Sequence, residues 1–403
     1  SMESDNKLFL LDAYALIYRA YYAFIKNPRI NSKGFNTSAI LGFVNTLEEV
    51  LKKENPTHIG VAFDPAGPTF RHEAFEQYKA QREETPEAIR LSVPIIKEII
   101  RAYRIPILEV AGYEADDVIG TLATEAGRQG IITYMMTPDK DYGQLVSDKV
   151  FMYRPKHTGG FEVMGVDEVK AKFDIQSPAQ VIDMLGLMGD SSDNIPGCPG
   201  VGEKTAQKLI AEFGSIENLL EHTDQLKGAL KTKVETNREM ITFSKFLATI
   251  KIEVPIQLDM DSLVREQADE DSLRQIFEEL EFRTLIDRVL KKENAGNGIT
   301  TPTGNKTAAE KSNLAPLPLF PEEGGAVQGD LFANFTGNEP GEAKNSNLAT
   351  LETLNCDYQL IDTEEKRTKI IQKLLTSKIL SLDTETTGTE PMDAELVGMS
   401  FSI

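Results

Sequence analysis

The sequence predicts an α/β fold in which a mainly parallel central sheet is flanked by helices and followed by a helical subdomain. Two observations predict it. Between residues 7 and 165, short apolar runs alternate with segments whose apolar residues recur every three or four positions. From about Val166 the helical spacing continues without a convincing strand. Alternating strands and helices are typical of a parallel sheet that helices cover on both faces.

The individual elements follow from the same spacing. Strands are expected at Lys7–Leu11, at HIGVAF (58–63) and at IITYMM (131–136), and helical spacing covers residues 39–51, 89–103 and 118–126. The α/β domain is therefore placed at 7–165. A helical subdomain follows at 166–292.

The composition changes after the helical subdomain. Residues 293–349 are rich in Asn, Gly, Thr, Pro and Glu and show little periodicity, which predicts a flexible linker. In residues 350–403, strand-like runs at 358–361, 379–383 and 395–403 surround a helical segment at 366–375. We therefore expect a third domain that begins and is then cut off.

Composition excludes several classes of protein. The 403 residues are 40% hydrophobic, which is enough for a core and argues against wholesale disorder. No run approaches the roughly 20 apolar residues of a membrane helix, and no charged-then-apolar leader opens the chain, so we expect no membrane association. Two distant cysteines, Cys198 and Cys356, indicate a reducing, cytoplasmic compartment. The net charge of −20, taken alone, argues against a nucleic-acid partner.

Nine acidic residues lie at the ends of predicted strands, at the start of a predicted helix or in the segment GDSSDN. They are Asp12, Asp64, Glu114, Asp116, Asp117, Asp139, Asp141, Asp190 and Asp193. The carboxyl ends of parallel strands meet at one edge of a sheet, so we expect these acids to converge.

Taken singly, each of these acids is more often a turn former or a helix cap than a ligand. Taken together, so many carboxylates cannot all stay ionised without cations. Oxygen donors without paired His or Cys favour Mg²⁺ or Mn²⁺ over zinc. Two or more such ions are typical of enzymes that hydrolyse phosphodiesters, where they activate water and stabilise the transition state.

Six segments of the chain resemble the successive motifs of the bacterial 5′-nuclease family, whose flap endonucleases and 5′→3′ exonucleases form the N-terminal domain of DNA polymerase I. In chain order they are LLDAYALIYRAYYA, VAFDPAGPTFRHE, YKAQR, GYEADDVIGTLA, TPDKDYGQLV and MGDSSDNIPGCPGVGEKTA. The resemblance implies a PIN-like fold over roughly residues 7 to 290. It also implies that one metal is held by Asp12, Asp64, Glu114, Asp116 and Asp117, and a second by Asp139, Asp141, Asp190 and Asp193.

The segment IPGCPGVGEKTAQK is interpreted as a helix–hairpin–helix that grips DNA. A P-loop is rejected because Glu203 occupies the lysine position and no strand precedes the segment. Gly200 and Gly202 would allow a tight turn, and the helix that carries Lys204 would direct backbone N–H groups at a phosphate. A purely structural turn is the alternative. The resemblance adds a K⁺ ion between the turn and the phosphate.

The same resemblance assigns further residues to the substrate. Four cations match family positions that steer the scissile phosphate and the 5′ single strand: Arg19, Arg71, Lys79 and Arg82. Tyr78 is expected to stack on an unpaired base, as aromatic side chains do in sequence-tolerant enzymes. The polar, helix-prone segment 74–90 would form an arch through which a flap threads.

Two motifs lie beyond residue 292. Asp383 and Glu385 stand two apart on a predicted strand, hence on one face, and resemble the first motif of an RNase H-like 3′→5′ exonuclease domain. In the linker, QGDLF offers Gln328, Leu331 and Phe332 and resembles the peptide with which bacterial polymerases bind the sliding clamp, although Gly329 stands where Leu is commoner.

These features predict a metal-dependent nuclease that acts on DNA with a 5′ flap, a nick or an RNA primer, located in the bacterial cytoplasm at the nucleoid. Two alternatives remain open at this point. A PIN-like ribonuclease shares the acid-lined sheet, and a non-catalytic DNA-junction binder would keep the acids for structure alone.

Overall fold

The computed structural model describes residues 5–156 and 158–290, the strands Ser381–Thr386 and Leu396–Ser402, and a few positions between Thr363 and Lys373. The chain divides into two compact units, Ser1–Thr336 and Gly337–Ile403. Among the described residues, none of the helices has the length and apolar character needed to cross a bilayer.

The first unit is built around a six-stranded sheet with the strand order β3-β2-β1-β4-β5-β6. Strands β1 to β5 run parallel, and β6 pairs antiparallel with β5. The strands are β1 (Lys7–Asp12), β2 (His58–Ala62), β3 (Ile107–Leu108), β4 (Ile132–Met136), β5 (Val150–Pro155) and β6 (Phe161–Met164). The predicted parallel α/β sheet is confirmed.

Both faces of the sheet are covered by apolar side chains, which explains the nearly continuous apolar strands. In β1, Leu8 and Leu10 belong to one buried cluster, whereas Phe9 and Leu11 belong to another. Successive side chains of a strand point to opposite faces, so β1 supplies both cores.

Helices connect the strands and cover the sheet in the described part of this unit. They are α1 (Ala13–Ala23), α2 (Ser38–Lys53), α3 (Phe70–Ala74), α4 (Glu87–Ala102), α5 (Ala115–Arg128), α6 (Val166–Phe173), α7 (Val181–Met188), α8 (Glu203–Phe213), α9 (Ile216–Glu221), α10 (Gly228–Thr236), α11 (Arg238–Ala248), α12 (Met260–Leu263), α13 (Glu270–Glu279) and α14 (Arg283–Leu290). Within residues 5–156 and 158–290, three 3₁₀ helices lie at Lys140–Leu145, Pro178–Gln180 and Thr223–Gln225.

The predicted elements match the structure in kind, and most differ only at their ends. The sequence reading missed β3, β5 and β6, and the helical run after residue 165 is confirmed as far as residue 290. Residues 75–86 form turns and extended backbone between α3 and α4, so the helix-prone segment 74–90 is helical only at its two ends.

The second unit contains an antiparallel pair, β7 (Ser381–Thr386) and β8 (Leu396–Ser402). Asp383 and Glu385 stand on β7, as the sequence predicts. The linker residues, and with them Gln328, Leu331 and Phe332, lie outside the described residues.

Candidate metal centre

Carboxylates gather at the carboxyl edge of the sheet, where β1, β2 and β4 are neighbours. Asp12 ends β1 and caps α1, with Oδ1 accepting from the Ala15 N–H at 3.4 Å. Asp64 follows β2 by two residues, and its Oδ1 accepts from the Ala115 N–H at 2.8 Å. Asp139 follows β4 and caps the 3₁₀ helix Lys140–Leu145. The strand ends therefore converge as the sequence predicts.

Two groups of three acids stand out by their geometry. The first cluster comprises Glu114, Asp116 and Asp117, at the N-terminus of α5, where the helix dipole favours negative charge. The second cluster joins Asp141 to two acids that follow α7: Asp190 and Asp193. In each cluster, one carboxylate oxygen from each residue lies within 4.8 Å of those of the other two.

Arg71 neutralises the charge of two carboxylates of the first cluster, Glu114 and Asp117. Its guanidinium donates to Glu114 Oε2 at 2.5 Å and to both oxygens of Asp117 at 2.8 and 2.7 Å. Its remaining N–H groups donate to the carbonyls of Leu247 and Thr249, at the end of α11, at 3.0 and 2.7 Å. All five donors of the side chain are thus used inside the protein.

This arrangement contradicts the prediction that Arg71 steers the scissile phosphate. The side chain is only 2% exposed, and its charge is already paired with two carboxylates. A phosphate could reach it only by displacing Glu114 or Asp117. Arg71 instead fixes the positions of these two acids.

The prediction that Tyr78 stacks on an unpaired base is also contradicted. Tyr78 is 3% exposed, and its hydroxyl donates to Glu114 at 3.0 Å. The ring is covered by His72 and by the Lys79 ammonium, which lies 5.0 Å from the ring centroid. A nucleobase therefore has no free face on which to stack.

The segment 75–86 places one cation on each cluster, and we call it the strap. Lys79 forms an ion pair with Glu114 of the first cluster. Arg82 forms an ion pair with Asp193 of the second. The Lys79 N–H also donates to the Asp193 carbonyl at 3.0 Å, so the strap spans both clusters.

The residues present fit divalent metal ions. One buried oxygen in each cluster, Asp116 Oδ1 and Asp141 Oδ1, has no hydrogen-bond donor. A buried acceptor without a partner is costly, and a hard cation would satisfy it. Among the described residues, no histidine or cysteine joins either cluster, which agrees with an oxygen-only donor set.

Crowding of the acids shifts their protonation. Burial, followed by repulsion from Asp64, raises the pKa of Asp12 to about 7. Burial and the neighbouring Asp193 and Asp190 raise the pKa of Asp139 to about 6. Burial would also raise the pKa of Glu114, but the ion pairs with Lys79 and Arg71 outweigh it and lower the pKa to about 2.

We expect Mg²⁺ to raise the melting temperature more at pH 8 than at pH 6. The raised pKa values of Asp12 and Asp139 mean that, without metal, the folded protein loses stability as the pH rises from the ordinary aspartate pKa of 3.8, and the loss is complete only above pH 6 to 7. Bound cations remove this cost, but only from carboxylates that have lost their protons. Melting curves with Mg²⁺ and with EDTA at both pH values measure the effect, and equal increments would contradict it.

The predicted hairpin is present between α7 and α8. Gly200 has φ +80°, in the left-handed region that favours glycine, so a tight turn is confirmed there. Gly202 has φ −93° and caps α8, a conformation open to any residue, so its predicted role in the turn is wrong. Both glycines and Lys204 are exposed, and a Cβ on Gly202 would meet no atom within 4 Å.

Several contacts around the hairpin and the carboxylate clusters could not be predicted from the sequence. Lys233 of α10 lies against the hairpin, with its Nζ 2.8 Å from where a Cβ on Gly200 would stand. The carbonyls that hold Arg71 come from residues more than 170 positions away. Arg19, expected near the phosphate, is half-buried and donates to the Lys156 carbonyl at 3.2 Å. No sequence signal identifies such contacts.

An α/β sheet with two carboxylate clusters at its carboxyl edge defines a class of metal-dependent phosphoryl-transfer proteins. Residues 7–174 match the family described as 5'-3' exonuclease, N-terminal resolvase-like domain, and residues 176–271 match that described as 5'-3' exonuclease, C-terminal SAM fold. The chain belongs to the 5'-3' exonuclease family.

Curated relatives agree with this assignment. The DNA polymerase I of Bacillus subtilis is 43% identical over 291 residues, which are 72% of this chain and 33% of that protein. The DNA polymerase I of Chloroflexus aurantiacus is 34% identical over 399 residues, which are 98% of this chain and 40% of the relative. The chain thus spans about a third of the length of the relatives that it matches.

Two solved structures share the fold. The zinc-bound T5 5'-exonuclease aligns with a TM-score of 0.52 and 20% identity, over 69% of this chain and 99% of the other. A bacteriophage T5 flap endonuclease in a complex with DNA and metal ions aligns with a TM-score of 0.52 and 21% identity, over 68% and 100%. At these identities the likeness establishes the fold alone.

Proposed function

We propose that this chain hydrolyses phosphodiester bonds at 5′ ends, 5′ flaps and RNA primers in DNA, as a 5′→3′ exonuclease and flap endonuclease that depends on Mg²⁺ or Mn²⁺. The observation that carries the proposal is the pair of carboxylate clusters, each with a buried oxygen that lacks a donor.

The carboxylates serve as ligands in this proposal, and none attacks the substrate. The first cluster, with Asp12 and Asp64, would hold one ion, and the second cluster, with Asp139, would hold another. Two divalent ions supply an activated water and neutralise the charge that develops on the phosphate in the transition state. Both carboxylate oxygens of Asp117 accept hydrogen bonds from Arg71, whereas Oδ1 of Asp116 accepts none. Asp116 is therefore the more available metal ligand of these two aspartates.

The strap supplies the cations that contact the substrate. Lys79 and Arg82 are side chains of one segment, and each already neutralises a carboxylate where a metal ion would bind. Metal ions would take over that neutralisation, because they carry more charge at shorter range. The two side chains would then be released to bind the scissile phosphate and the 5′ strand, together with Arg19.

The hairpin would hold the duplex by its backbone. The exposed turn at Gly200 and the N-terminus of α8 offer backbone N–H groups to a phosphate, and Lys204 and Lys233 add positive charge nearby. A K⁺ ion bridging the turn carbonyls to the phosphate belongs to the same proposal. Contacts of this kind position a duplex without reading its sequence, as a structure-specific nuclease requires.

The chain would act as the N-terminal part of a longer cytoplasmic DNA polymerase I. The relatives that bear this name support the proposal, since each matches over a third or so of its length. Asp383 and Glu385 would belong to a 3′→5′ exonuclease-like domain to which residues 350–403 contribute. Binding of Gln328, Leu331 and Phe332 to the sliding clamp remains part of the proposal, tested by a peptide in which Leu331 and Phe332 are replaced by alanine.

The test compares two substrates under the same conditions. We expect Mg²⁺-dependent cleavage of a 5′-flap DNA near the junction of single strand and duplex, and much slower cleavage of single-stranded RNA of the same length. Preferential RNA cleavage would favour a PIN-like ribonuclease instead. Tight flap binding without cleavage in Mg²⁺ or Mn²⁺ would favour a non-catalytic junction binder.

A further inference from the structure

We infer that Tyr142 is a positioning residue that fixes the orientation of the Asp12 carboxylate for metal binding. The inference rests on the proposed function, because it assigns a role within the same centre. Tyr142 lies within the segment TPDKDYGQLV, between the DKD acids and the apolar end of the 3₁₀ helix, and the sequence pattern assigns it no role of its own.

The geometry is specific to one oxygen of Asp12. The Tyr142 hydroxyl donates to Asp12 Oδ2 at 2.8 Å, and the Thr137 hydroxyl donates to the same atom at 3.4 Å. The other oxygen, Oδ1, accepts only a long bond of 3.4 Å from the Ala15 N–H. Two donors on Oδ2 and one weak donor on Oδ1 leave Oδ1 as the oxygen available to a cation.

The tyrosine cannot easily give up this bond. Tyr142 is fully buried, so its ring orientation is fixed by packing, and no water competes for its hydroxyl. Asp12 is only 8% exposed and stands at the junction of β1 and α1, so its backbone is fixed as well. The hydrogen bond therefore sets the carboxylate plane before any metal arrives.

The position of Tyr142 also links the two metal sites. The 3₁₀ helix Lys140–Leu145 begins after Asp139 and carries Asp141 of the second cluster, followed directly by Tyr142. Its hydroxyl reaches across the sheet edge to Asp12, which belongs with the first site. A shift of this short helix would therefore move ligands at one site and reorient a ligand at the other.

The test replaces only the hydroxyl. Tyr142→Phe keeps the buried ring and removes the donor to Asp12. We expect the dissociation constant for Mn²⁺, measured without DNA by the electron paramagnetic resonance of free Mn²⁺, to rise by about 10-fold, in the range seen when partners of metal ligands are lost. The Mg²⁺ concentration for half-maximal flap cleavage should rise by a similar factor, with little change in the rate at saturating Mg²⁺.

Tyr153→Phe is the matched control. Tyr153 is also buried, at 2% exposure, and its hydroxyl also donates to a carboxylate, Glu54 Oε1 at 3.0 Å, away from both clusters. A merely structural role predicts that both variants lose stability and neither loses Mn²⁺ affinity. Thr137→Val removes the longer donor to Asp12 Oδ2 and also the acceptor of the Asp139 N–H at 3.1 Å. It gives a second measurement should Tyr142→Phe fold poorly, with a smaller weakening expected.

The inference is overturned if Tyr142→Phe binds Mn²⁺ with an affinity within about twofold of that of the parent protein. If Tyr142→Phe does not fold, an unchanged Mn²⁺ affinity of Thr137→Val overturns it instead. The proposed function fails differently: the unmodified protein would bind no Mn²⁺ or would not cleave flap DNA. A parent protein that does both, with an indistinguishable Tyr142→Phe, overturns the role of Tyr142 alone.

Discussion

Asp116→Asn is expected to reduce Mg²⁺-dependent flap cleavage by at least about 100-fold, because loss of a mere partner of a metal ligand already costs about 10- to 100-fold. The same change should leave the metal-free protein at least as stable as the parent. Burial, then repulsion from Asp117 and Glu114, raises the pKa of Asp116 well above its usual range. Above the ordinary pKa of an aspartate, the parent therefore loses stability on ionisation that the amide does not lose.

Opposite changes in activity and stability separate a metal ligand from a structural acid. Cleavage rates at saturating Mg²⁺ and melting temperatures in EDTA at pH 8 supply the two measurements. Addition of Mg²⁺ should then raise the melting temperature of the parent more than that of Asp116→Asn, because the variant offers one negatively charged ligand fewer.

Asp183→Asn is the control for this experiment. Asp183 is another buried aspartate, but it accepts from the Lys245 ammonium at 2.6 Å and from the Ile216 N–H at 2.9 Å. Removing its charge should lower stability without changing the response to Mg²⁺. Undiminished cleavage by Asp116→Asn, or a loss of stability like that of Asp183→Asn, would contradict a metal-binding role for Asp116.

The sheet and the convergence of the acids could be predicted from sequence because both depend on local patterns. Apolar strands followed by acids identify the carboxyl edge of a parallel sheet, and Asp12, Asp64 and Asp139 stand there as expected. Strands β3, β5 and β6 escaped prediction. The two edge strands are short: β3 has two residues, and β6 keeps two exposed residues among its four, so their sequences carry little apolar signal.

The cations were harder to interpret than the acids. The sequence predicts substrate contacts for Arg71 and Lys79 and for the neighbouring Tyr78. In the structure all three side chains donate to Glu114, and of the three only Lys79 keeps a substrate contact in the proposed function. A sequence shows that a cationic residue lies near an acidic motif, but it does not show whether the cationic side chain faces the solvent or the protein interior. Burial distinguishes a cation that contacts the substrate from one that holds the acids in place. The burial of Arg71 depends on carbonyls at the end of α11, far along the chain.

The net charge misleads for the same reason. A surplus of acids argues against a nucleic-acid partner when charges are spread over a surface. Here nine acids are concentrated at one edge, and three cations are held among them: Arg71, Lys79 and Arg82. Divalent ions bound there would turn the most acidic part of the molecule into one that attracts phosphate.

Arg71→Met is expected to lower the free energy of unfolding by about 3–5 kcal/mol in EDTA, the usual effect of removing one partner from a buried ion pair. Methionine fills much of the space of the arginine stem but leaves Glu114 and Asp117 without their shared cation. Urea denaturation at pH 8 measures the loss. Arg90→Ala is the control, because Arg90 pairs with Glu87 at 3.9 Å on the surface, where both side chains are largely exposed, and should change stability by less than about 1 kcal/mol.

Divalent ions should restore part of the stability that Arg71→Met loses. A metal ion held by the first cluster would neutralise the same carboxylates as Arg71, so the electrostatic effects of the two would partly overlap. Mg²⁺ should therefore stabilise Arg71→Met by more than it stabilises the parent, although cleavage stays impaired because Glu114 and Asp117 are no longer held in place. Equal stabilisation of both proteins by Mg²⁺ would show that the guanidinium and the metal ions act on separate charges, and would contradict a metal site at the first cluster.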